Sequence, residues 1–506
     1  MISKFILKKD EYYDSVTLMV ISKTLSTMEG VENAFVYMGT EMNKDMIIKF
    51  LPNLTEEVEK ATSNDLMIAI NGSESLDFEK IVAELEKQLK GDSNTNESNS
   101  NRVYKNINEV LEEDDDYNIA IISIAGEYAF REAMRALKKG LHVMLFSDNV
   151  SIEDEIKLKE YAKSKNLLLM GPDCGTSILN GVGLCFANET KKGDIGIIGA
   201  SGTGIQEAVV QLNKVGLGIS QAIGIGGRDL TSEVGGIMML SALDYLAEDE
   251  NTKEIVLISK PPAQDVKEKI IEKIMTIDKP KVICFIDSKD NKELPNTQYV
   301  DSLSEIARVC AKKEKELKLS KERLKELNSL KSKVKSNKVV GLYCGGTLCA
   351  EALHLLRNSM NPIYSNVAKK EEEKIKTEEY KDNVLIDLGD DKYTVGRAHP
   401  MIDPSVRLLE IEKYAKSDKY GVMMLDFELG YGSNESPVKE TAELLKKLKE
   451  EKQDLIVISY ICGTKEDYQG YQDNKSMLEE ISIIADSNEE MCKIAEYLLT
   501  KDINKE

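Results

Sequence analysis

The sequence predicts an α/β protein of parallel sheets covered by helices. Short apolar, β-branched runs alternate along it with amphipathic stretches of about 10–15 residues, the rhythm of strands joined by crossover helices. Two glycine-rich turns, Gly199–Gly204 and Cys344–Thr347, each connect an apolar run to a helical pattern. At 506 residues the chain suffices for about three domains, each able to bury a core.

The first domain is expected over 1–190. Ala34–Met38 and Leu66–Asn71 read as strands, and Glu41–Leu51 and Phe78–Leu89 as helices. Gly91–Asn101 is an Asn/Ser-rich stretch with nothing to bury, and because strands on both sides share one rhythm it is read as a loop inside this domain. Strands Ile119–Ile124 and His142–Phe146 follow, with helices at Tyr128–Lys138 and Ile152–Ser164. The second domain, 191–311, alternates strands Ile195–Ile198, Ser220–Ile225, Glu254–Ser259 and Lys281–Ile286 with helices Gly204–Lys214, Met238–Ala247 and Asp265–Ile274, and ends in a helix from Leu303. Residues 312–338 are highly charged and helix-forming, a solvated linker with one leucine stripe or, less simply, a basic patch for an acidic partner. The third domain, 339–506, carries strands Val339–Tyr343, Asn383–Leu388, Gly421–Phe427 and Leu455–Tyr460 and helices Thr347–Leu356 and Glu489–Leu499. Its charged insertion Lys369–Lys381 is expected to face solvent.

Composition narrows the function classes. With 67 Lys+Arg against 88 Asp+Glu the net charge is −21, which argues against a nucleic-acid partner. The longest apolar runs, Asn118–Ala125 and Leu455–Tyr460, fall short of the roughly 20 residues a membrane span needs, and Met1–Lys9 does not resemble a secretory signal. A cytoplasmic location without membrane contact is the expectation. The 8 cysteines and 3 histidines show no CxxC or HxxxH spacing, so no metal site is expected and the thiols are read as mostly structural.

Four segments could carry chemistry. Ser201, Gly202, Thr203 and Gly204 open a helix after an apolar strand, where unpaired N–H groups and the helix dipole favour an anion. Neither GxGxxG spacing nor a Walker lysine is present, so a phosphate or acyl phosphate is indicated rather than a nucleotide. Gly345, Gly346 and Thr347 repeat the design, although tight turns of this kind also serve purely steric ends. Gly224–Asp229 places flexible backbone beside Arg228, or forms a simple turn. Finally, Gly396–Pro404 gathers Arg397, His399 and Asp403 in a proline-fixed loop; Arg can grip a carboxylate or phosphate and His can move a proton near pH 7. His142 and His354 read as structural.

These residues carry a family resemblance. Met170–Gly175, Gly193–Gly204, Gly216–Gly227 and Glu248–Ile258 resemble successive blocks of the succinyl-CoA synthetase alpha subunit, and Tyr104–Ala125 is similar to a block of its CoA-binding domain. Gly341–Leu356 and Asp387–Asp403 are similar to the carboxy-terminal CoA-ligase domain of the beta subunit. The fusion, with GRAHPMIDP and Leu429–Gly432, resembles the FdrA family. The resemblance implies a CoA-binding Rossmann-like domain followed by two flavodoxin-like, succinyl-CoA-synthetase-type domains. It implies phosphate contacts from both helix starts, with Lys260 where the relatives carry a glutamate, and a CoA-like site at Gly39, Thr40, Pro172 and Cys174.

The departures from the relatives matter as much. The loop that bears their phosphohistidine follows the strand matched by Lys281–Ile286, yet here it reads Asp287-Ser288-Lys289-Asp290-Asn291. No phosphohistidine relay carries over, and the shortened Met38–Glu41 loop weakens the case for CoA as cofactor. The FdrA resemblance implies an oxamate carbamoyltransferase of ureide catabolism that works with companion subunits on carbamoyl or acyl phosphate, with Arg397 holding an oxamate-like carboxylate and His399 moving a proton. Cys344 could accept an acyl group or simply fill a strand end. The alternatives are an ADP-forming acyl-CoA synthetase subunit needing an ATP-grasp partner, and a non-catalytic scaffold.

Overall fold

The computed structural model describes the chain apart from residues 1, 12, 14, 29, 74–75, 91–103, 105, 289–291, 377–381, 395–396, 453 and 501–506. The Asn/Ser-rich stretch, Lys289–Asn291, Gly396 and part of the Lys369–Lys381 insertion therefore lie outside the described residues. Two compact units divide the chain: Met1–Glu109 with Asp390–Asp403, and Val110–Gly389 with Pro404–Glu506. The segment expected as one domain over 1–190 is thus split between the units at Glu109.

In the first unit, strand Leu66–Gly72 lies between Ile2–Lys8 and Val31–Met38 and runs antiparallel to both. Helices Ser15–Ser26 and Phe78–Lys90 contribute Leu18, Ile21, Leu25, Ile81 and Leu85 to one core with Val36, Ile68 and Ile70. This is a split βαβ arrangement, and it corrects the expectation of parallel sheets from end to end. Ile2–Lys8, whose apolar residues are interrupted by Ser3 and Lys4, does not read as a strand from the sequence; it pairs over its full length with Leu66–Gly72.

The second unit holds three sheets. Ile119–Ile122, His142–Leu145 and Leu169–Met170 make a small parallel one. A seven-stranded sheet runs in the order Thr297–Tyr299, Lys281–Phe285, Glu254–Ser259, Lys192–Gly199, Ile219–Gly224, Thr176–Leu179, Val182–Cys185. Its first five strands are parallel and the last two form an antiparallel hairpin. The hairpin turns on Asn180 and Gly181 with φ of 52° and 82°, the two positive angles of a type I′ turn. The third sheet is parallel throughout, in the order Ile363–Ser365, Asn383–Asp387, Val339–Tyr343, Val422–Glu428, Ile456–Cys462, Ile483–Ala485.

Strand order locates the crevices. Lys192–Gly199 lies between the strands that follow it in opposite directions, and Val339–Tyr343 does the same in the third sheet. Ligands of open parallel sheets bind beyond the carboxyl ends at such reversals. One continuous core joins the two larger sheets, with Ile205 and Val209 of helix Gly202–Lys214, Leu348 and Ala352 of helix Gly346–Leu356, and Met491 and Ile494 of helix Asn488–Leu499. The charged linker contributes helix Lys321–Lys331, of which only Leu327 is fully buried.

Polar ties complete the second unit. Ala187 and Tyr431 exchange backbone hydrogen bonds of 3.3 and 2.7 Å, and Gly430 between them has φ of 106° and room only for hydrogen, since a Cβ would lie 2.4 Å from Ala187 O. The Leu429–Gly432 motif is therefore a joint between sheets. Lys159, with none of its surface exposed, reaches Glu155 and Asp229 at 2.8 Å each and the Ile225 carbonyl at 3.0 Å. Arg228 pairs with Glu155 and donates to the Val150 carbonyl. The glycine-rich Gly224–Asp229 turn is thus tied to helix Ile152–Ser164 by structural ion pairs.

Candidate functional site

The two helix starts meet. Ser201 caps Gly202–Lys214, accepting from Gly204 N at 3.0 Å, and its hydroxyl shares a hydrogen bond with that of Thr347, in the first turn of Gly346–Leu356. Both reversal points of the large parallel sheets thus open onto one place. The leading N–H groups of each helix, Gly202 and Thr203 on one side and Gly346 and Thr347 on the other, have no partner within their own helices. Spacing could not reveal this convergence.

A residue missed from the sequence adds a donor. Thr176, on the antiparallel hairpin, is 1% exposed and its hydroxyl has no hydrogen-bond partner. It lies 3.1 Å from the position a Cβ on Gly202 would take. Lys260, at the end of strand Glu254–Ser259, is partly buried. Lys369 donates to the Pro261 carbonyl at 3.3 Å, and its ammonium is pushed below the usual value by burial and by the Lys260 charge nearby. The insertion that begins at Lys369 accordingly keeps its first residue close to Lys260.

The second helix start carries carboxylates as well. Asp426 accepts from Cys344 N and Gly345 N at 2.8 Å each, so the Gly345 N–H expected to meet phosphate is bonded within the chain. Asp387 approaches so closely that a Cβ on Gly346 would meet its Oδ2 at 2.4 Å. Burial and neighbouring Asp426 push Glu428 well above the usual carboxylate range. Arg407 balances Asp426 at 3.5 Å, lies 4.3 Å from the Phe427 ring centre and donates to Cys344 Sγ at 3.1 Å. Cys344, Asp426 and Glu428 are grouped closely enough to hold a metal ion, but the Arg407 guanidinium already occupies that cluster, paired with Asp426 and bonded to Cys344 Sγ. Burial raises the Cys344 thiol well above its ordinary value, which suits a strand-end filler rather than an acyl acceptor.

At the position of the relatives' phosphohistidine loop, Asp287 is held by His354 Nδ1 at 3.2 Å and Arg357 at 2.7 Å. The predicted CoA-like residues divide between the units. Cys174 and Pro172 belong to the second: burial pushes the Cys174 thiol up to about 11, and its Sγ sits 2.4 Å from the Cβ position of Gly224. Gly39 and Thr40 belong to the first, where they precede helix Glu41–Phe50.

That helix start is also where Arg397 lies. Thr40 caps the helix through Asn43 N, Asn43 Nδ2 donates to the Met38 carbonyl at 2.8 Å, and Asn43 Oδ1 accepts from Arg397 Nε at 2.8 Å. His399 Nδ1 accepts from Met401 N at 3.2 Å, which leaves the ring proton on Nε2, and burial pushes its pKa down to about 4. At neutral pH it is an uncharged hydrogen-bond donor. Because an unfolded histidine titrates near 6.5, the unfolded chain binds a proton between pH 6.5 and 4 that the folded chain does not. Stability should therefore fall as pH drops through that window, by up to about 3 kcal/mol. Urea denaturation at pH 7.5 and 4.5 should show a smaller fall in His399→Gln than in the wild type; equal falls would disprove this.

Three family matches cover most of the chain: AllF, heavy metal-associated domain, over residues 1–105; CoA binding domain over 190–285; and CoA-ligase over 342–498. The chain is 40% identical over 499 residues to the uncharacterized protein YahF of Escherichia coli strain K12, covering 96% of each. The chain belongs to the YahF-like, FdrA-type family. This FdrA-type chain is also 30% identical over 187 residues to the alpha subunit of the ADP-forming succinate–CoA ligase of Methanothermobacter thermautotrophicus, which is 36% of the chain and 61% of that protein. Among solved structures it aligns with dinucleotide forming acetyl-coenzyme A synthetase 1 of Ca. Korarchaeum cryptofilum at TM-score 0.32 and 13% identity, over 80% and 87% of the two chains. The fold is of the succinyl-CoA synthetase type and the chain is acyl-CoA synthetase-like. The CoA binding match falls on the segment read from the sequence as the first ligase-like domain. Residues 1–105 contain neither Cys nor His, the usual donors for soft metals. Among the described residues no helix is long and apolar enough to cross a membrane.

Proposed function

We propose that the paired helix starts hold the phosphoryl group of an acyl or carbamoyl phosphate, and that the chain is the carbamoyl-transfer component of a multi-subunit enzyme acting on an oxamate-like acceptor. The observation that carries this reading is the Ser201–Thr347 hydrogen bond, which brings two helix N-termini from two sheet reversals to one point. Thr176 and Lys260 add a hydroxyl and a cation. In the transfer, the acceptor nitrogen attacks the carbonyl carbon, the bond from that carbon to the phosphate oxygen breaks, and the phosphate leaves with the electron pair and takes up the proton that the nitrogen releases. Donors fixed around the leaving oxygens gain most as that charge develops. The ion pairs of Asp287 favour direct use of an acyl phosphate over a phosphorylated enzyme.

The similarity to succinate–CoA ligase favours a second reading, an acid–thiol ligase subunit that binds CoA and needs a nucleotide-binding partner. Isothermal calorimetry of the full chain with carbamoyl phosphate and with CoA separates them. Carbamoyl phosphate binding without CoA binding is the expected result. Tight CoA binding with no response to carbamoyl phosphate would overturn the first reading, and silence toward both would leave a scaffold.

A further inference from the structure

The first unit contains a buried positive charge that makes no direct salt bridge. Arg397 is 5% exposed, its Nε is bonded to Asn43, and its Nη2 is buried with no partner. Among the described residues no carboxylate lies within ion-pair distance of it; Asp403 and Asp45 act on it only from farther off, and less than burial does. A guanidinium that has lost its water and gained one neutral acceptor is costly unless an anion completes it. Its one acceptor, Asn43, stands in the first turn of helix Glu41–Phe50, whose 10 residues align their dipole toward the same point. Asn43 cannot turn away, because its amide nitrogen is held by the Met38 carbonyl and its backbone N–H by Thr40.

We infer that this unit carries a carboxylate-binding site, in which the leading N–H groups of helix Glu41–Phe50 and the Arg397 guanidinium receive a small carboxylate ligand. A planar fork of N–H donors matches the two oxygens of a carboxylate, and a helix start completes the charge. The naming of that carboxylate as the oxamate-like acceptor rests on the transfer reading above; the existence of the site does not. Gly39 and Thr40 then serve the acceptor rather than CoA.

Calorimetry on the full chain tests this with oxamate, with ethyl oxamate, whose carboxylate is masked, and with inorganic phosphate. Oxamate should bind and ethyl oxamate should not. Arg397→Gln should weaken oxamate at least tenfold. Asn43→Asp, which supplies Arg397 with an internal counter-ion, should do the same, with both variants retaining a cooperative thermal transition. Carbamoyl phosphate titrated separately into wild type and Ser201→Asp reads the phosphate site, so failure of that site and failure of this one give different results. Equal binding of oxamate by wild type and Arg397→Gln, equal binding of the ester, absence of oxamate binding, or phosphate binding that depends on Arg397 would each overturn the assignment.

Discussion

Ser201→Asp should weaken carbamoyl phosphate binding by at least about 100-fold while leaving the fold intact. Asp caps a helix about as well as Ser, so Gly202–Lys214 keeps the contact that Gly204 N makes now. What changes is a full negative charge placed where the phosphoryl group would sit. Two unit charges 4 Å apart at an effective dielectric of about 20 repel by about 4 kcal/mol, more than enough for that loss. Ser201→Ala separates charge from capping: it should cost about 1 kcal/mol of stability and only a modest share of affinity. Calorimetry and thermal denaturation on the same preparations read both effects, and wild-type affinity in Ser201→Asp would remove the paired helix starts from consideration.

The largest loss of stability is expected from Lys159→Met. The ammonium neutralises Glu155 and Asp229 in a place without exposed surface. Asp229 also accepts from Met238 N and Met239 N at 3.1 and 2.9 Å, so it cannot swing toward water without uncapping helix Ile237–Glu248. Removing the cation leaves two buried carboxylates with Arg228 alone beside Glu155, and breaking such a network costs about 3–5 kcal/mol. Urea titration should show the midpoint falling. Adding Glu155→Gln and Asp229→Asn to Lys159→Met should restore much of it, because the harm lies in uncompensated charge rather than lost packing. An unchanged midpoint in Lys159→Met would contradict the account.

What the sequence made legible follows physical rules of short range. Strands Glu254–Ser259 and Val339–Tyr343 are apolar enough to announce themselves, and the small residues at Ser201–Gly204 and Gly345–Thr347 mark helix starts. That these starts touch depends on packing between two sheets, which spacing does not encode. Thr176 was hidden because its only signal was the Asn180-Gly181 turn, which implies a hairpin and hence an antiparallel strand. Asp426 and Glu428 alternate with Phe427 at the end of an apolar strand, where a carboxylate must find a partner; that partner, Arg407, sits on helix Ser405–Ala415, in no recognisable motif. Arg397 and Asn43 are 354 residues apart; Arg397 stood out in its own loop motif, Asn43 did not stand out beside the Met38–Glu41 loop, and nothing in the sequence showed that the two segments join.

That long-range pairing bears on how the molecule can be divided. The peptide chain passes between the two units three times, after Glu109, after Gly389 and after Asp403. Severing the first junction would therefore leave the first unit incomplete in both pieces, since Asp390–Asp403 stays with the longer piece that carries the whole second unit. A shorter piece ending at Glu109 would lack the loop that brings Arg397 to Asn43, and co-expression of both pieces should reconstitute by complementation what either alone leaves unfinished.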